Sequence, residues 1–202
     1  MKYGSTTFLF TLIFDRYAYA CFRKEGVVLS KKKVHKEYKE MIRRTPALPD
    51  ENPFLGNLLM GCYVLSFYKA YPETVNEELF RKLVHSLCYS KPMVNAHKKQ
   101  DAFDEKVLLQ KEKDAEASKG SSYEMDWQYA FQRGEGSYDF IYTRCGLCQL
   151  GFRENCSHLI RFLCEADFIT YNLMGADLKR TQTIAEGGTC CDFHVERKEK
   201  SI

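Results

Sequence analysis

The sequence predicts an α+β protein: an N-terminal helical part packed with a C-terminal hairpin-helix-hairpin unit that forms a small antiparallel sheet. Three observations predict it. Apolar residues recur at helical spacing up to about residue 95. The period changes to two after residue 122. Glycine-rich turns, Arg133-Gly134-Glu135-Gly136 and Ala185-Glu186-Gly187-Gly188, then split the alternating stretches into two pairs of strands.

The first apolar stripe, Phe10, Ile13, Phe14, Tyr17 and Cys21, has helical spacing. The same region, Met1-Lys2 followed by an apolar run and Ala18-Tyr19-Ala20, also has the outline of a secretory leader. Asp15 and Arg16 interrupt that outline, so an amphipathic first helix is expected and secretion through residues 1–20 is the alternative. Ser30 is a good cap for a second helix, with Val34, Tyr38, Met41 and Ile42 on one face. Asn52-Pro53 starts a third, Phe54 to Ala70, which is apolar on most of its circumference and is expected to be buried. Thr74-Val75-Asn76-Glu77 fits a capping box for a fourth, whose face is Leu79, Phe80, Leu83, Val84 and Leu87. Cys62 and Cys88 lie on such faces and read as core. Residues 98–120 are highly charged and end in Ser118-Lys119-Gly120-Ser121-Ser122, which predicts a solvated helix running into a flexible link. The division falls there: a helical part, 1–120, and an α+β part, 121–202, sharing one integrated domain.

Beyond it, Met125, Trp127, Tyr129 and Phe131 alternate with polar residues, as do Tyr138, Phe140 and Tyr142, which gives the first hairpin. A single helix is expected from Leu147 to Met174, with Leu159, Phe162, Leu163, Ala166 and Ile169 buried and Gly175 as its terminal cap. The second hairpin takes strands at 178–184 and 190–196.

Composition narrows the function. Charged residues make up 28% and the net charge is only +3, with no basic stretch interleaved with aromatics, so nucleic acid is not an expected partner. No apolar run approaches the ~20 residues of a membrane span, so no membrane partner is expected. Nine cysteines in no stapled-scaffold spacing point to reduced thiols in a cytoplasmic setting. A homo-oligomer stays open.

Six of the nine cysteines fall in the last third, namely Cys145, Cys148, Cys156, Cys164, Cys190 and Cys191. Cys145-Gly146-Leu147-Cys148 sits where a strand meets a helix, and a helix N-terminus can stabilise a thiolate there. Cys164 and Asp167 project to neighbouring positions on one helix side. Strand alternation sends Cys191, Phe193 and Val195 to one face and Cys190, Asp192 and His194 to the other. Arg180 offers a fork for a carboxylate, or a cross-strand partner for an acid.

With these residues in view, the chain resembles the L-2-amino-thiazoline-4-carboxylic acid hydrolase family. The resemblance is carried by Thr143-Arg144-Cys145, by Phe162-Leu163-Cys164-Glu165-Ala166-Asp167, and by Arg180-Thr181-Gln182-Thr183-Ile184-Ala185-Glu186-Gly187-Gly188 with Cys190-Cys191-Asp192-Phe193. It implies a hydrolase that opens a small cyclic amidine or thiazoline carboxylate with water, in the manner of 2-amino-thiazoline-4-carboxylate going to N-carbamoyl-cysteine. The substrate is then a small molecule with a carboxylate. On this resemblance the substrate-binding candidates are Arg180, Thr181, Thr183 and Gly188. The catalytic candidates are Cys164, Asp167, Cys191 and Asp192. Either a thiol, Cys164 or Cys191, attacks the ring carbon, or Cys145, Cys164 and Cys191 hold a zinc or iron ion that activates water. Asp167 or Asp192 is the base. The rival is a non-catalytic small-molecule- or metal-binding module whose thiols sense oxidation.

Overall fold

The computed structural model describes Met1 and residues 4–198. Lys2 of the leader outline and the 199–202 end of the expected α+β part lie outside the described residues. Among the described residues the helices are α1 (Ser5–Lys24), α2 (Lys31–Arg44), α3 (Leu55–Ala70), α4 (Glu77–Cys88), α5 (Lys91–His97), α6 (Glu105–Lys119), α7 (Gly146–Arg153) and α8 (Ile160–Leu173). The strands are β1 (Gln128–Arg133), β2 (Ser137–Arg144), β3 (Ala176–Lys179) and β4 (Cys191–Arg197), paired antiparallel in the order β1-β2-β4-β3. The architecture is thus α+β, with the sheet in the C-terminal part.

Two apolar clusters hold the fold. The first is helical. Val34, Tyr38, Met41 and Ile42 of α2 meet Leu58, Leu59, Cys62, Leu65 and Phe67 of α3, and α4 adds Phe80 and Leu83. Fully burying side chains of this size contributes about 1.5–3 kcal/mol each. Into this cluster α1 inserts Phe14, Ala18, Tyr19 and Phe22. It also buries Asp15, whose carboxylate accepts bonds from the Tyr63 hydroxyl at 2.8 Å and His35 Nε2 at 2.9 Å, which offsets its desolvation. No helix of the described residues is long and apolar enough to cross a membrane.

The second cluster lies under the sheet. Tyr129, Tyr138, Phe140, Leu178, Cys191, Phe193 and Val195 point to its inner face, as the two-residue period dictates. α6 packs on β1 and α8 on β3. α6 is therefore not wholly solvated: Leu108 and Ala115 join the cluster under the sheet. Phe54 and Tyr142 touch both clusters and mark the seam between them.

Four local expectations are corrected. The single helix expected over 147–174 is two, because Asn155 takes φ 53° and the Cys156 amide turns back to Gly151 O at 2.8 Å. Asn is among the few non-glycine residues that adopt this left-handed conformation readily. The strand expected over 178–184 ends at Lys179; residues 180–190 form a loop built on side-chain bonds to backbone. The cap of α4 is Asn76, which accepts from Leu79 N at 2.9 Å, rather than Thr74. α5 was not expected; Ser90 stands at its cap position without a side-chain capping bond, and Pro92 sits in its first turn.

Candidate active site

At the seam of the two clusters lies a cavity of about 550 Å³. This is within the size range of small-molecule sites. Its aromatic walls include Phe54, Trp127, Tyr129, Phe140, Tyr142 and Phe193. Its reactive groups come from three elements: Cys145 from the β2–α7 junction, Cys164 and Asp167 from α8, and Cys191 from β4. Arg180, just past β3, joins them.

Each group is placed by its local sequence. Cys145 is the cap residue of α7, held in extended backbone. Only glycine fits at the next position. A Cβ on Gly146 would stand 2.1 Å from Met125 O and 2.5 Å from the Trp127 ring. Arg144 fastens the same corner, donating to Asp126 O at 3.0 Å and Tyr123 O at 2.9 Å. Cys164 and Asp167, three residues apart, share the cavity side of α8, where Leu163 is also part of the wall. Cys191 opposes Tyr142 across β2 and β4 and points inward with Phe193 and Val195.

The thiols differ in character. The neighbouring Cys148 thiol holds Cys145 below the ordinary thiol range, against the opposing effect of burial. The Cys148 and Leu147 amides at the start of α7 add to this. Cys148 is pushed far up by its nearness to Cys145 and by burial. Burial raises Cys164 well above the ordinary range, and the Asp167 charge raises it further. Burial pushes Cys191 up to about 11, with the Ile184 amide, 3.3 Å from the sulfur, opposing. Of the cavity thiols described here, Cys145 is the one poised to ionise.

Asp167 is the matching acid. Burial pushes its carboxyl up to about 6, and the Arg180 guanidinium moderates that rise. Its side chain is still 39% accessible, an opening that faces the cavity it lines. Arg180 donates from Nη1 to Asp167 Oδ2 at 3.1 Å and from Nη2 to Cys164 O at 3.2 Å. Its guanidinium carbon lies 4.8 Å from the Phe168 ring centre and 5.0 Å from that of Phe193. Arg180 is therefore a buried ion-pair partner that fixes the Asp167 carboxylate.

The other expected site residues lie apart from this cavity. Asp192 is on the opposite face of β4 from Cys191. Its carboxylate accepts the amides of Thr181 at 3.0 Å and Gln182 at 2.8 Å, together with the Thr181 hydroxyl. These bonds, with burial opposing, hold its pKa low. Thr183 is buried and bonds Glu186 Oε2 at 2.8 Å. Gly188 donates to Thr183 O at 2.9 Å. Together they shape the 180–190 loop. Thr181 and Thr183 border a second concavity of about 460 Å³ on the other side of Arg180, which lines both, and its Arg81 and Arg161 are already paired with Glu165 and Glu77.

The metal expectation does not fit. Among the described residues no three His, Cys, Asp or Glu side chains converge as a metal-holding group. Cys145, Cys164 and Cys191 border one cavity without forming the close donor set that zinc or iron requires. Cavity residues outside the expected set include Tyr142, Tyr171, His97 and Lys111. The alternation of 138–142 signalled an inward Tyr142; nothing local marked the other three.

A family model described as L-2-amino-thiazoline-4-carboxylic acid hydrolase matches residues 59–195, a span that contains Cys145, Cys164, Asp167, Arg180 and Cys191. No curated protein matches the chain at a significant level. Among solved structures, a trafficking protein particle complex subunit 3 from Naegleria fowleri, covalently bound to palmitic acid, is similar over 72% of this chain and 96% of its own, at 8% identity and a TM-score of 0.36. So slight a likeness carries no argument.

Proposed function

The chain belongs to the L-2-amino-thiazoline-4-carboxylic acid hydrolase family, and from that premise we propose that it hydrolyses a small cyclic amidine carboxylate of the 2-amino-thiazoline type, with Cys145 as nucleophile and Asp167 as proton carrier. One observation carries the proposal: Cys145 and Asp167 line the same cavity, where Arg180 holds the Asp167 carboxylate at 3.1 Å.

The steps balance. The Cys145 thiolate adds to the ring carbon between nitrogen and sulfur. The bond from that carbon to the ring sulfur breaks, and protonated Asp167 delivers its proton to the departing sulfur. The product is an isothiourea joined to Cys145, with the former ring sulfur now a free thiol. Water then attacks the same carbon, giving a proton to the Asp167 carboxylate, and the Cys145 thiolate leaves. The released molecule is the N-carbamoyl amino acid, and the sum is substrate plus one water. Arg180 positions Asp167 through the ion pair and restrains its pKa. Cys164 and Cys191, kept protonated, form the wall beside the reacting carbon. Asp192, Thr181, Thr183 and Gly188 keep the 180–190 loop folded behind Arg180.

The test is turnover of 2-amino-thiazoline-4-carboxylate by the purified chain, followed by mass spectrometry of the carbamoyl product. Activity lost in Cys145→Ser and in Asp167→Asn, with a mass adduct on Cys145 in the wild type, is the expected result. Full activity in Cys145→Ser sinks the covalent route. Saturable binding without turnover replaces the hydrolase with the non-catalytic small-molecule module.

A further inference from the structure

We propose that Lys111 is the residue that binds the carboxylate of the cavity's ligand, which makes that ligand a small carboxylate held between α6 and the thiols. The inference rests on reading this cavity as the reaction site and names the recognition element that site needs.

Five groups of opposite or variable charge face the cavity besides the cysteines and tyrosines. Arg180 and Asp167 neutralise each other across 3.1 Å, and rings lie over the guanidinium. His97 borders the cavity with both ring nitrogens buried and unpartnered among the described residues; burial lowers its pKa, so the imidazole is neutral. Asp114 takes the Gln110 amide at 2.8 Å. Lys111 is left. Its ammonium stands 4.9 Å from the centre of the Phe140 ring, on the inner face of β2. Among the described residues it has no ion-pair partner, and Asp114 is the only charged group that acts on it appreciably.

An ammonium drawn under a sheet with no carboxylate in ion-pair contact is costly. Its burial disfavours the charge, and Phe140 returns only part of that loss. A ligand carboxylate supplies the missing partner. The opposed origin of the groups also suits a bifunctional ligand. Lys111 comes from α6, whereas Cys145 and Asp167 come from the α7–α8 side, so an anchored carboxylate directs the rest of the ring toward the thiol. Arg180, committed to Asp167, is spared that task.

Calorimetric titration tests this with two probes: 2-amino-thiazoline-4-carboxylate and 2-amino-thiazoline, which lacks the carboxylate. The Cys145→Ser background is used so that binding is read without turnover. Lys111→Met is expected to weaken the carboxylate probe about 10- to 100-fold and not to weaken the carboxylate-free probe, with most affinity restored in Lys111→Arg. Thermal melts check that each variant folds. Equal weakening of both probes, or none, overturns the inference. The two readings fail separately. Turnover by the wild type with a KM indifferent to Lys111→Met removes the anchor and leaves the hydrolase. Lys111-dependent binding of thiazolidine-4-carboxylate by a wild type that opens no thiazoline removes the hydrolase and leaves the anchor. A wild type that binds none of these carboxylates removes the anchor.

Discussion

Gly146→Ala isolates the corner that presents Cys145. The added Cβ would lie 2.1 Å from Met125 O, 2.5 Å from Trp127 Cζ3 and 2.8 Å from Trp127 Cη2. Ordinary contact begins at 3.4 Å, so the first atom must retreat by roughly 1.3 Å (3.4 − 2.1). A backbone carbonyl cannot swing aside as a side-chain tip does, and Trp127 is stacked on Phe54 with centroids 4.7 Å apart. Overpacking of this kind costs about 1–3 kcal/mol. At about 2–4 °C per kcal/mol for a chain of this length, the midpoint of thermal unfolding should fall by roughly 2–12 °C. The displaced turn also moves the Cys145 sulfur, and misplacement by about 1 Å lowers turnover on the order of 100-fold. Gly120→Ala is the control, since nothing lies within 4 Å of its Cβ position and its φ of −93° suits alanine. Differential scanning fluorimetry and kcat/KM should separate the two variants. A Gly146→Ala protein that melts and turns over like Gly120→Ala refutes the claim that this corner is rigid and positions the thiol.

The remaining predictions concern ionisation. Iodoacetamide at pH 7, followed by peptide mapping, should modify Cys145 ahead of Cys164 and Cys191, since only its sulfur is favoured as thiolate among the three; earlier labelling of Cys164 or Cys191 contradicts the assignment. Asp167 should leave a mark on stability against pH. Its folded pKa is raised from 3.8 to about 6, so the folded chain keeps a proton that the unfolded chain releases. Its contribution is therefore full below pH 3.8 and is lost as pH rises to about 6. The stability difference between Asp167→Asn and wild type should shift in favour of the variant across that window and then level off. A constant difference from pH 3.5 to 7 shows that burial does not hold this carboxyl protonated.

The parts of the fold readable from sequence were those in which burial follows a simple period. Val34, Tyr38, Met41 and Ile42 show the helical repeat and are fully buried; Tyr138, Phe140 and Tyr142 show the strand repeat and share the sheet's inner face. That Cys164 and Asp167 share one helix side, and Cys191 one strand face with Phe193, was likewise accessible, because helical i,i+3 spacing and strand alternation fix relative directions; which strand face turns to the cavity, and that Arg180 joins it, came only with the fold. What escaped depended on partners distant in sequence or on single residues. The bend at Asn155 hangs on one left-handed residue that is not glycine. The 180–190 loop hangs on Asp192 reaching back to the Thr181 and Gln182 amides. Lys111 sits in a run of charges that looks solvated, and its burial arises from Phe140, which belongs to a strand 29 positions later (140 − 111). The ranking of the thiols needed the nearness of Cys148 to Cys145, which spacing permits but does not compel.

The kink at Asn155 has a reach beyond its own neighbourhood. Cys145 and Cys164 are 19 positions apart (164 − 145), and on one uninterrupted helical rod they would stand about 28 Å from each other. Folding the rod into two legs lets both border a single chamber. The span of that chamber is thus governed by an elbow that never meets its contents, and altering the elbow's angle or length would resize it while every reactive atom kept its chemical identity.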